Sequence, residues 1–104
     1  MTQEWLNALT GVALRHPNVI LYVFGSTVYG DRTPNDLDLL AVYSTLEDYY
    51  AFHAELEQLE FSPLVDVVAM GSDELESSGF IQRSNAVALK SLVVANLTRR
   101  YRKN

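Results

Sequence analysis

Six consecutive residues, Val19-Ile20-Leu21-Tyr22-Val23-Phe24, are all apolar or aromatic, and most are β-branched or aromatic. A run this short, set between Pro17-Asn18 and Gly25, is strand length rather than helix length. Its unbroken apolarity predicts an interior strand with both faces covered. Two more segments of the same kind follow, Leu37 to Tyr43 and Leu64 to Met70.

Helical spacing fills the intervals. Trp5, Leu6, Leu9, Val12 and Ala13 recur on one helical face, and His16-Pro17 ends the pattern because the residue before proline avoids the helical region. Ser44 with Glu47 fits a capping box ahead of Leu46, Tyr49, Phe52, Leu56 and Leu59. Asp73 with Glu76 marks another helix start and Gly79 its end. Ala86 to Leu89 reads either as a short strand or as the opening of a helix running towards Arg102. The order helix, strand, loop, strand, helix, strand, helix predicts a small α/β (α+β) domain, a mixed β-sheet with helices packed on it. The 104 residues make one domain, 1–104, ending in a basic tail at 99–104.

With no cysteine, the chain has no disulfide framework, thiolate zinc site or cysteine nucleophile. The N-terminal sequence carries no signal-peptide pattern, and no apolar run approaches the ~20 residues of a membrane span. A cytoplasmic protein without a membrane partner is expected. Charge is unevenly divided. Residues 1–80 carry thirteen acidic residues against Arg15 and Arg32, a net of −11, whereas residues 81–104 carry six cations and no acid; together they give −5. The basic end suits the last turn of a helix, or an acidic surface.

Chemistry concentrates between Phe24 and Leu40, FGSTVYGDRTPNDLDLL. The chain leaves a strand through Gly25-Ser26 and re-enters another carrying Asp36 and Asp38. Residues two apart on a strand share a face, so two carboxylates stand together near a glycine turn. Like charges so placed call for a cation. Asp66 interrupts the third apolar strand, where an unpaired buried charge is costly. If that strand neighbours the one bearing Asp38, three carboxylates converge. Carboxylates of this kind suit Mg²⁺, which binds through a few of them together with water and substrate phosphates. Gly25 lets a phosphate approach the backbone, and Ser26 offers a hydroxyl and an N–H to it. Gly25 to Gly30 matches half of a P-loop, but Asp31-Arg32 stands where that motif needs Lys and Ser or Thr. His16 and His53 read as ordinary helix residues, and Tyr22, Phe24 and Tyr43 as core.

In these motifs the chain resembles the minimal nucleotidyltransferases of the DNA polymerase β superfamily, which include antitoxin partners of HEPN-type toxins. The resemblance rests on Gly25 and Ser26, the ten-residue interval, Asp36 and Asp38, and the later Asp66. It implies a nucleotidyltransferase fold and transfer of a nucleoside monophosphate from a nucleoside triphosphate, ATP being the expected one, to a hydroxyl. In some antitoxins that hydroxyl is a tyrosine of the partner toxin. Asp36 and Asp38 would hold two Mg²⁺ ions, and Asp66 would bind the ion facing the acceptor and help deprotonate it. Where many relatives carry Arg after Gly-Ser, this chain has Thr27-Val28; Arg32 is the cation available to a phosphate. The alternative is a catalytically idle antitoxin that neutralises its partner by docking. The expected partners are therefore a nucleoside triphosphate, a HEPN-type toxin and further copies of the chain. A nucleic-acid role through the basic end ranks behind these, since no nucleic-acid motif accompanies it.

Overall fold

The computed structural model describes residues 3–25, 36–59 and 64–94. Ser26, Arg32 and the basic tail 99–104 lie outside the described residues. Helix α1 (Gln3–Arg15) leads into strand β1 (Val19–Val23). Strand β2 (Asp36–Tyr43), helix α2 (Leu46–Glu57) and strand β3 (Leu64–Gly71) follow. Two short helices, α3 (Ser72–Ser78) and α4 (Phe80–Ser84), precede the two-residue strand β4 (Val87–Ala88), and residues 89–94 are again helical. The expected small mixed α/β domain is what forms, with a four-stranded sheet in the order β3-β2-β1-β4. β1 runs antiparallel to β2 and to β4, while β2 and β3 are parallel.

Alternation along the strands splits the sheet into two faces. Val19, Leu21 and Val23 of β1 and Leu37, Leu39 and Ala41 of β2 point into the main core. There they meet Trp5, Leu6, Leu9 and Val12 of α1, and Phe52 and Leu56 of α2. Leu40 and Val42 are also buried but belong to the opposite face. α3 packs on that side of β2 and β3, with the Ser78 hydroxyl 3.7 Å from Met70 Sδ. Phe80 of α4 stacks edge-on against Phe24, ring centres 5.2 Å apart.

Three local expectations are corrected, and one that the sequence left open is decided. β1 alternates instead of being buried throughout: Val19, Leu21 and Val23 are covered, Tyr22 is half-buried and Ile20 is 55% exposed. The reason is that Ile20 points away from the main core, to the face where α3 packs on β2 and β3. The cap of α2 is Thr45, not Ser44. Asp48 N–H donates to Thr45 Oγ1 at 3.2 Å, and that hydroxyl donates to Asp48 Oδ2 at 2.9 Å. Ser44 is held back in the sheet, where its N–H donates to the Asn18 carbonyl. α3 starts without a side-chain cap, at Gly71, because β3 runs directly into it. Finally, β4 and the helical residues 89–94 are both present, so the two readings of Ala86 to Leu89 apply in succession.

Candidate active site

β1 ends where its last ladder bond is made: Phe24 N–H donates to the Asp38 carbonyl at 3.2 Å. The next residue, Gly25, turns with φ +65°, a left-handed conformation that side chains disfavour. A side chain there would also displace its neighbour, since a Cβ on Gly25 would sit 2.7 Å from Asp38 Oδ2 and that carboxylate would have to move. The turn backbone is therefore pressed against the carboxylate of the neighbouring strand.

On the other side of β2, Asp66 of β3 is the direct register partner of Asp38. Registered residues on parallel strands share a face and sit about 4.8 Å apart. Both belong to the face that carries Leu40 and Val42, at the end of the sheet where β1 finishes. Asp38 is half-buried and Asp66 exposed. The expectation of a charge enclosed within an apolar strand is thus corrected: β3 is the edge of the described sheet, and water reaches its Asp66. Asp36 opens β2 with its backbone in register with Leu64.

The turn at Asn85 comes to this same end of the sheet. It has a left-handed backbone at φ 55°, ψ 38°, and it delivers the chain to Val87 beside Val23. Nothing in its sequence neighbourhood marks Asn85, because its place depends on the antiparallel pairing of β1 with β4. His16 and His53 do not join the site. His16 Nε2 lies 2.8 Å from Glu55 Oε1, and His53 Nδ1 lies 2.8 Å from Glu57 Oε1.

Among the described residues, no three His, Asp or Glu side chains gather into a metal-binding group. The pair Asp38 and Asp66 supplies hard oxygen donors on one face, beside a backbone turn that has no side chain to obstruct a ligand. This donor chemistry fits Mg²⁺, which needs only one or two protein carboxylates when substrate phosphates complete its shell. No family model matches the chain, and no curated protein does.

Proposed function

We propose that the chain is a Mg²⁺-dependent nucleotidyltransferase that moves a nucleoside monophosphate from ATP or another nucleoside triphosphate to a hydroxyl. The acceptor in this reading is a tyrosine of a toxin partner, and the chain is its antitoxin. What supports it is one relationship: the left-handed turn at Gly25 seated against Asp38, which is itself level with Asp66. Two carboxylates beside a turn free of side-chain bulk form a place for phosphates and cations rather than a packing device. Asp36, Asp38 and Asp66 would hold the metal, as the resemblance implies. Bound there, Mg²⁺ would neutralise the triphosphate and stabilise charge in an in-line displacement.

The remaining work falls to the chain's own groups. Gly25 admits the phosphates, and the Ser26 hydroxyl and N–H donate to them. Arg32 adds a positive charge. The acceptor hydroxyl oxygen attacks the α-phosphorus, the bond to the β-phosphate bridge breaks, and pyrophosphate leaves. The hydroxyl proton passes to the Asp66 carboxylate.

Calorimetry of the full chain with each of the four triphosphates in Mg²⁺ tests the reading. Binding of at least one is expected, with loss in the Asp36→Asn/Asp38→Asn double variant. Failure of the wild type to bind any of them, alone or with its partner, would leave the idle docking antitoxin, which Thr27-Val28 in place of a phosphate-binding Arg favours.

A further inference from the structure

Across the end of the sheet from Asp66, beyond Asp38, stands an aromatic pair. The Phe24 N–H donates to the Asp38 carbonyl, which makes the two residues direct partners across antiparallel backbone. Direct partners share a face, with Cβ atoms about 4.5–5.5 Å apart. Phe24 therefore stands on the face of Asp38 and Asp66, at their level, and not in the main core. Against it lies Phe80, edge-on at 86° with ring centres 5.2 Å apart. One row across the sheet end thus reads carboxylate, carboxylate, ring, ring, with the Gly25 turn beside its middle.

Backbone geometry puts Phe80 there. α4 begins after Gly79 and ends at Asn85, both left-handed, with φ 64° and 55°. The Phe80 N–H donates to Ser78 Oγ at 3.2 Å, and Arg83 Nε donates to the Ser78 carbonyl at 3.1 Å. Val87 pairs with Val23, so the chain leaving α4 returns beside β1. The helix buries none of its side chains, and both rings of the pair are only half-buried. Part of each ring stays in water, where a second flat apolar group would cover it.

On the nucleotidyltransferase reading of this site, on which the assignment rests, we propose that Phe80, backed by Phe24, is the platform on which the nucleobase stacks. The row has the order of the ligand. Charged phosphates and their ions lie over Asp66 and Asp38, the flat base lies over the rings, and the ribose spans between. A ring face accepts any base, because each base has a π surface. The larger purines cover more of it, so ATP and GTP bind ahead of CTP and UTP.

Calorimetry of the full chain in Mg²⁺ tests this by comparing ATP with ribose 5-triphosphate, which lacks only the base. The wild type binds ATP about 5- to 100-fold more tightly, the range for one base stacked on an aromatic ring. Phe80→Leu, apolar but not flat, loses most of that margin and keeps its affinity for ribose 5-triphosphate. An unchanged margin in Phe80→Leu overturns the assignment, and so does a wild type that binds both ligands equally. A wild type that binds neither, alone or with its partner, overturns the nucleotidyltransferase reading itself and the platform with it. Proton NMR of the wild-type complex needs no variant. Cross-relaxation between the adenine protons and the Phe80 ring is expected, and bound ATP without it refutes the stacking.

Discussion

The carboxylate of Asp38 occupies the space in which a side chain on Gly25 would have to begin, with Oδ2 2.7 Å from that Cβ position. Gly25→Ala therefore meets two penalties. A left-handed backbone costs a non-glycine residue about 1–2 kcal/mol, and Asp38 must rotate away from the turn. Chemical denaturation is expected to show a loss of at least that size. Triphosphate binding should fall further than stability does, since the displaced carboxylate belongs to the proposed site. A Gly25→Ala variant as stable as the wild type would mean that the turn relaxes and that Asp38 is not held by it.

Asp38 and Asp66 face the same side of adjacent parallel strands. Like charges directly across a sheet destabilise it by roughly 0.2–1 kcal/mol. With divalent ions chelated away, Asp66→Asn should be slightly more stable than the wild type. Adding Mg²⁺ should reverse that order, because an ion bound by the native state raises the wild-type thermal midpoint with concentration. Equal Mg²⁺ responses in the two proteins would remove Asp66 from the ligand set.

Phe52 has no exposed surface, and it touches both His16 of the turn after α1 and Tyr49 of its own helix. It joins α2 to the face of the sheet that holds the main core. Phe52→Ala is expected to cost about 3–5 kcal/mol. That is a large share of the stability of a domain this size, so the variant should populate unfolded chain near 37 °C in a thermal melt. Tyr50→Ala, two positions away but exposed, should cost far less.

The element order was legible because β-branched runs and helical spacing are local signals. What local signals leave open is which strands become neighbours. Ile20 reads as buried in its apolar run, yet it points to the face where α3 packs on β2 and β3, and no feature of residues 19–24 records where that helix lands. Asp66 reads as an enclosed charge until β3 is known to be the edge of the described sheet. Ser44 and Thr45 both head a capping pattern, Ser-x-x-Glu and Thr-x-x-Asp. The choice between them is made by the ladder bond from Ser44 to Asn18, a contact between residues 26 apart. At the site, the Gly-Ser exit from a strand, the Asp-x-Asp pair and an acid inside an apolar run marked Gly25, Asp38 and Asp66 as candidates. The parallel register that sets Asp66 level with Asp38 is a long-range fact, and so is the position of Asn85.

Glu55 links the end of α1 to α2. Arg15 Nε donates to Glu55 Oε2 at 2.6 Å, and His16 Nε2 lies 2.8 Å from the other oxygen. The Arg15 hydrogen bond, then the His16 contact, hold the carboxyl below its usual 4.5; burial opposes them more weakly. A carboxyl whose folded-state pKa is depressed binds protons more readily in the unfolded chain. Its contribution to stability is therefore fully present above about pH 4.5 and is lost as pH falls through the lower folded value. Glu55→Gln removes that titration. Urea midpoints measured from neutral pH into acid should show the variant less stable at neutral pH, with the gap closing below pH 4.5. Because Arg15 is 59% exposed, added salt should narrow the gap at neutral pH as well. A gap that stays constant with pH would assign the effect to shape at position 55 and not to its charge.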